Sequence, residues 1–169
     1  MNNVTEQHSE PKIMKILILS DSHGNYPLAI KALDKAGQVD HVIHLGDGAD
    51  DVQIIENVYE RKVISVAGNC DFNASIPREI RTTIDHKDLF ITHGHNYNIK
   101  MGIDQLYRKA ATEQTSIVLY GHTHIAAIET ISDILFINPG CLSKNCTFNS
   151  YATLSIVNSK ATAEIVEIC

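Results

Sequence analysis

Three times within its first 71 residues the chain passes through a nearly unbroken apolar run and then halts at a short loop of Asp, Asn, His, Gly, Cys and Ser. Ile13 to Leu19 ends at Ser20-Asp21-Ser22-His23-Gly24-Asn25. His41 to Leu45 ends at Gly46-Asp47-Gly48, and Val63 to Ala67 at Gly68-Asn69-Cys70-Asp71. A short apolar run without polar alternation is the pattern of a strand buried on both faces. Between the runs, Tyr26 to Ala36 spaces Leu28, Ala32, Leu33 and Ala36 at near-helical intervals, and Gly37 suits a C-cap. Asp50 to Tyr59 begins with two acids, which favour a helix N-terminus. Strands alternating with helices dictate parallel βαβ units. In such sheets ligands bind at the carboxyl ends of strands, where all three polar loops fall.

From Glu79 onward the texture changes. Glu79 to Ile84 and Leu89 to Thr92 predict two strands joined by a turn over Asp85-His86-Lys87-Asp88, followed by His93-Gly94-His95-Asn96. A helix is expected over Ile103 to Thr112. A strand over Ser116 to Tyr120 leads into Gly121-His122-Thr123-His124, and short strands follow near Ile125 to Glu129, Ile134 to Ile137, Tyr151 to Val157 and Ala161 to Val166. A second sheet packed on the first is the natural place for so many short strands.

The remaining bounds come from size and charge. A chain of 169 residues buries roughly two-thirds of its unfolded surface in one core. One domain is therefore expected over residues 12–169, preceded by a polar, flexible N-terminal extension over residues 1–11. The net charge of −6 argues against broad electrostatic capture of nucleic acid or anionic membrane. No apolar run approaches the roughly 20 residues a spanning helix needs. Cys70, Cys141, Cys146 and Cys169 show no C-x-x-C spacing, so no disulfide framework is expected; the reading is of thiols in a reducing, cytoplasmic setting. Oligomeric state is not encoded in any readable motif.

The polar loops together deliver Asp21, His23, Asp47, Asn69, Asp71, His93, His95, His122 and His124. Any one of these loops alone reads as an ordinary turn, because Asp, Asn, Gly and Ser dominate turns for conformational reasons. Five in one small domain, each after an apolar run, point to a metal site instead. Mixed oxygen and imidazole donors suit borderline divalent ions, Mn²⁺ first and Fe²⁺, Zn²⁺, Co²⁺ or Ni²⁺ as well. In an extended strand, residues two apart face the same side. On that geometry His122 with His124, and Asp21 with His23, can each serve one site.

Asp21-Ser22-His23-Gly24, Gly46-Asp47, Gly68-Asn69-Cys70-Asp71, Thr92-His93-Gly94-His95 and Gly121-His122-Thr123-His124 resemble, in order and spacing, the blocks of the calcineurin-like metallophosphoesterase superfamily. Asn138-Pro139-Gly140 extends the resemblance to its compact, single-domain bacterial and archaeal phosphodiesterase branch. The resemblance implies an α/β fold, a two-sheet β-sandwich flanked by helices. It also implies Asp21, His23 and His124 as ligands of one metal, Asn69, His93 and His122 as ligands of a second, and Asp47 as the bridge. Two cations about 4 Å apart can activate a bridging hydroxide and stabilise an in-line displacement at phosphorus. Asp47, Asn69 and His95 are the expected catalytic residues.

Many relatives place a proton-donating histidine after the metal-binding Asn; this chain has Cys70, as the compact branch does. A thiol with an ordinary pKa near 8.5 is a poorer general acid than imidazole, so leaving groups needing little protonation are expected. His95 is either an alternative proton donor or phosphate contact, or a loop histidine bonded to a neighbour. Asp71 is expected to orient a ligand or cap a turn, and His8, His41, His44 and His86 receive no catalytic role. The expected substrate is a small phosphodiester or nucleotide-like ester. Two rivals stand beside this: a non-catalytic metal-binding scaffold that recruits protein partners, as one superfamily member does, and a nuclease, which the acidic charge disfavours.

Overall fold

The protein is described here by a computed structural model over residues 12–72 and 75–169; the expected extension over residues 1–11 lies outside the described residues. Strands β1 (Met14–Leu19), β2 (His41–His44) and β3 (Ile64–Ser65) alternate with helices α1 (Tyr26–Ala36) and α2 (Ala49–Tyr59). β1 pairs parallel with β2, and β2 with β3, as the strand–helix alternation demands. Next come β4 (Glu79–Ile84), β5 (Lys87–Thr92), helix α3 (Asp104–Thr112), β6 (Ile117–Leu119), β7 (Ala127–Ile131), β8 (Ile134–Asn138), β9 (Ser150–Val157) and β10 (Lys160–Glu167). Two five-stranded sheets result, ordered β10-β9-β1-β2-β3 and β4-β5-β6-β8-β7.

Side-chain alternation sorts the core into layers. Ile16 and Ile18 of β1 point between the sheets, where they meet Leu89 and Ile91 of β5, Ile117 and Leu119 of β6, and Leu154 and Ile156 of β9. Leu17 and Leu19 point the other way and pack under Ala29, Leu33 and Ala36 of α1 and Val52 and Ile55 of α2. Phe90, Val118 and Phe136 on the far face of the second sheet meet Ile99 and Leu106 and Ala110 of α3. The order is helix, sheet, sheet, helix, so strands buried on both faces read as continuous apolar runs.

Two expectations are corrected. The last strands do not join the second sheet: β9 runs antiparallel to β1, and β10 continues outward from β9. Residues 139–149 lead the chain back to the first sheet, where Leu142 N–H donates to the Asp21 carbonyl at 3.3 Å; strand periodicity identifies faces and says nothing of which edge a strand joins. Cys141 and Cys146 are joined by a disulfide rather than standing as free thiols. The intervening turn, closed by Cys146 N–H donating to Ser143 O at 3.1 Å, brings their Cα atoms to 6.5 Å, within the reach of a bridge. Spacing rules built on C-x-x-C do not anticipate that turn. Cys70 and Cys169 are free.

The β4–β5 turn is also tighter than expected, with Asp85 and His86 alone at its tip, at φ 46° and 62°. Ser132-Asp133 and Asn158-Ser159 show the same paired positive φ, the two-residue hairpin geometry that matches strand twist. Among the described residues no helix is long and apolar enough to cross a membrane. Because Ile18 is fully buried between the sheets, Ile18→Ala is expected to cost about 2–5 kcal/mol in urea denaturation. Thr162→Ala on the exposed face of β10 should stay within about 0.5 kcal/mol.

Candidate metal centre

The carboxyl ends of β1, β2 and β3 meet those of β5 and β6 at one end of the sandwich. The loops are tied by their backbones: Asp21 N–H donates to Gly46 O at 3.0 Å, His23 N–H to Asp47 O at 2.9 Å, and Gly121 N–H to His93 O at 3.1 Å. Asp21, His23, Asp47, His122 and His124 all adopt left-handed backbone, with φ between 45° and 68°. Such conformations cost of order 1 kcal/mol or more for a non-glycine residue and concentrate at functional sites. They also correct the expected geometry: these pairs converge by left-handed turns, not by alternation along an extended strand. His122 and His124 accordingly turn toward different neighbours, His122 toward His93 (ring centroids 5.0 Å) and His124 toward His23 (5.6 Å).

Two buried carboxylates form the middle. Asp21 Oδ2 accepts from Ser20 Oγ at 2.5 Å and His122 N–H at 3.1 Å. Its Oδ1 is buried and accepts no well-directed hydrogen bond, although His124 Nε2 lies 3.0 Å away and the Nε2 atoms of His23 and His93 each 3.9 Å. Asp47 Oδ1 accepts from Cys70 N–H at 2.7 Å; its Oδ2 lies 3.4 Å from His93 Nε2 and 3.7 Å from His23 Nε2. Asn69 Oδ1 stands 3.2 Å from His93 Nε2. A Cβ on Gly68 would overlap the Asp47 carboxylate, and one on Gly121 would overlap Ser20 and Asp21, so glycine lets these backbones approach the acids. All seven expected ligands are thus gathered, with His95 beside them at 5.4 Å from the His93 ring.

The charges respond to this packing. Burial would raise both carboxyls, but imidazole partners, with Ser20 at Asp21 and Cys70 N–H at Asp47, outweigh it and hold both below the usual range. Burial disfavours the His93 imidazolium, yet Asp47 and Asp21 together raise its pKa. The Asp21 carboxylate, 3.0 Å from its Nε2, raises that of His124. His122 goes the other way, lowered to about 4 by burial and by His93. Partial burial and the Asp47, Asp71 and Asp21 carboxylates push the Cys70 thiol up to about 11.

Several supporting residues act through the loops. Asp71 accepts four backbone N–H groups, from Asp47 and Gly68 on Oδ2 and from Gly48 and Ala49 on Oδ1, at 2.7–3.1 Å. It thereby shapes the Asp47 loop and caps the start of α2, the orienting role its position suggested. Ser22 Oγ, buried, donates to Asp51 Oδ2 at 2.5 Å and lies 3.1 Å from His44 Nε2; Gly24 N–H also reaches Asp51. That trio secures the His23 loop and has no exposed face. Arg78 was not singled out by sequence. Its Nη1 donates to Gly68 O and to His95 Nε2, each at 3.2 Å, which sets a guanidinium beside the second histidine group. The lone arginine before β4 carried no motif that could have flagged it.

The donor set fits divalent cations. A buried carboxylate oxygen without a proton, facing three imidazole nitrogens, is the arrangement a cation would satisfy. His124, Asp21 and His23 offer ligand atoms within 4.8 Å of one another, as do Asp21, Asp47 and His93. Comparison with known proteins agrees. Residues 14–159 match the Calcineurin-like phosphoesterase superfamily domain. The chain is 33% identical to the Probable metallophosphoesterase YsnB of Bacillus subtilis (strain 168), covering 91% of each chain. It is 30% identical to the Phosphodiesterase YfcE of Escherichia coli (strain K12), covering 78% of this chain and 80% of that one. The structure of Vacuolar Protein Sorting 29 from Cryptosporidium parvum superposes with a TM-score of 0.73 at 17% identity, over 92% of this chain and 98% of that one; this likeness is one of fold. The chain belongs to the calcineurin-like phosphoesterase superfamily, a class of metal-dependent phosphoric ester hydrolases.

In the metal-free protein, Asp47→Asn removes an anion that favours the His93 imidazolium and leaves the burial that opposes it. The His93 pKa is therefore expected to fall, as read from the pH titration of its ring protons by NMR; an unchanged or raised value would contradict the pairing.

Proposed function

We propose that the protein is a phosphodiesterase working with two divalent cations, one held by Asp21, His23 and His124, the other by Asn69, His93 and His122, with Asp47 shared between them. The observation that supports this most strongly is Asp21 Oδ1, buried without a directed hydrogen bond yet ringed by three imidazole Nε2 atoms at 3.0–3.9 Å. When bound, such a pair supplies Lewis acidity at phosphorus and a water-derived nucleophile at neutral pH. Mn²⁺ is the favoured ion, with Fe²⁺, Zn²⁺, Co²⁺ and Ni²⁺ accepted by the same donors.

The chain's own groups prepare the site. His93 Nδ1 lies 2.7 Å from Leu45 O and donates to it, which leaves the Nε2 lone pair free for ligation. Cys70 N–H fixes one oxygen of Asp47 and frees the other. His95 Nε2 accepts from Arg78 and its Nδ1 is buried, so the imidazole positions the guanidinium, whose remaining N–H groups are suited to binding phosphoryl oxygens, rather than giving a proton to the leaving group. Cys70 puts a thiol where an imidazole would be the better proton donor, so activated leaving groups are the ones handled well. A small phosphodiester is the favoured substrate, as the name of the Escherichia coli relative suggests. A cytoplasmic location belongs to the same reading, where Cys70 stays a thiol; the Cys141–Cys146 bridge is the feature a reducing compartment would open.

The scaffold alternative draws on the fold likeness to Vacuolar Protein Sorting 29. It is disfavoured because every expected ligand position holds a competent donor, an arrangement with no structural need of its own.

Metal-stripped protein is expected to be inactive on bis(p-nitrophenyl) phosphate and to regain turnover with Mn²⁺; no metal-dependent turnover would favour the scaffold. Asp47→Asn should cost at least about 100-fold in activity, the upper end of what loss of an outer partner of a metal ligand costs. Across aryl diesters, rates should fall as leaving-group pKa rises, and a flat series would contradict the role given to Cys70.

A further inference from the structure

Beside His124 lies a hollow of about 600 Å³ whose walls come from Ile125, Asn145, Phe148, Ile165 and Glu167. His124 is shared between the hollow and the Asp21 group, its Nε2 3.0 Å from Asp21 Oδ1 and its Nδ1 3.6 Å from Cys146 Sγ in the hollow wall, so the hollow adjoins the centre across that ring. Its apolar walls stand ready for a partner, since Phe148 is 73% exposed and Ile125 69% exposed. Exposed large apolar residues recur on the segments around the centre: Phe72 follows the Asn69 loop and Tyr26 the His23 loop, both exposed. Scattered surface apolar residues need no explanation, but a walled hollow that shares a donor with a reactive centre does.

The wall is built rather than loose. The turn that leads into it is closed by Cys146 N–H donating to Ser143 O at 3.1 Å. Asn149 Nδ2 donates to Cys141 O at 3.2 Å and Ser143 O at 2.8 Å, and Ser150 Oγ donates to Pro139 O at 2.7 Å. A pre-formed wall loses little freedom on binding.

We infer that this hollow is the subsite for the uncharged, aromatic or aliphatic ester substituent that stays on phosphorus, which makes it a specificity determinant for diesters. The inference rests on the phosphodiesterase reading. Charge decides which substituent it takes. Among the described residues that line the hollow, Glu167 is the only Asp, Glu, Lys or Arg, and His124 the only histidine. The departing group gathers negative charge as its bond to phosphorus breaks, and a carboxylate alongside would oppose that. The retained substituent gains no charge, so its apolar surface is stabilised by Phe148, Ile125 and Ile165 without that penalty. An anionic retained group, such as a further phosphate, would meet Glu167 and be disfavoured.

The test compares two diesters with the same leaving group, bis(p-nitrophenyl) phosphate and p-nitrophenyl methyl phosphate, on the Mn²⁺-loaded full chain. The wild type should prefer the bis-aryl ester in kcat/KM. Phe148→Ala is expected to cut that preference about five- to tenfold, a loss near 1 kcal/mol of aromatic contact. Ile125→Ala, at a second exposed wall position, should lower it in the same direction, and circular dichroism checks that both variants are folded. An unchanged ratio, or equal losses on both esters, would overturn the inference while leaving the phosphodiesterase reading intact. No metal-dependent turnover of either ester by the wild type would overturn that reading, and the subsite with it.

Discussion

Two carboxylates, Asp21 and Asp47, sit buried at the end of the sandwich within 4 Å of several imidazole nitrogens. Anions taken out of water are costly unless each oxygen is met by a donor or a cation. The surrounding structure can be derived from that demand. Ser20 and His122 N–H meet one oxygen of Asp21, and Cys70 N–H meets one oxygen of Asp47. The remaining oxygens face His23, His93 and His124, whose nitrogens are ligands or acids according to what stands between. Without a cation, protonated imidazoles take the role, which is why His93 and His124 hold protons more tightly than free histidine.

Close packing of these groups requires the backbones to approach one another, and this constrains the fold. Gly68 and Gly121 lie where any side chain would strike an acid or its partner. Left-handed turns at five of the seven donors bend the chain sharply enough to present side chains inward. A single sheet offers strand ends along a line; two stacked sheets offer them from both sides of a gap. β1, β2 and β3 deliver the Asp21, Asp47 and Asn69 loops from one sheet, and β5 and β6 deliver the His93 and His122 loops from the other. The apolar layer of Ile16, Ile18, Leu89, Ile91, Ile117 and Leu119 sets the spacing between them. The strain at the turns is borne by that rigid scaffold.

Much of this was legible in the residues. Apolar runs marked the strands, and the loop chemistry marked the donors, because a strand buried on both faces and a ligand both leave side-chain types that turns alone do not require. What escaped was long-range or conformational. Asp71 could be read as an orienting group, but its four backbone partners span two loops and no spacing reveals them. Arg78 reaches His95 from 17 residues away. β9 and β10 carry good strand patterns, yet only the antiparallel pairing of β9 with β1, which the residue types do not encode, decides which sheet they extend. The His122–His124 pair was read through strand alternation, and left-handed φ values, invisible in residue types, sent the two rings to different neighbours.

Cys70 shows how the same field can shape chemistry as well as fold. Its backbone N–H serves Asp47, while its thiol stands in the negative potential of Asp47, Asp71 and Asp21 and is raised far from ordinary cysteine. A group whose backbone is needed for geometry need not be useful for proton transfer. On the proposed function, the consequence is a division of labour: charge stabilisation falls to the metal centre and its Arg78–His95 flank, and discrimination among esters falls to the leaving group's own acidity and to the apolar hollow beyond His124.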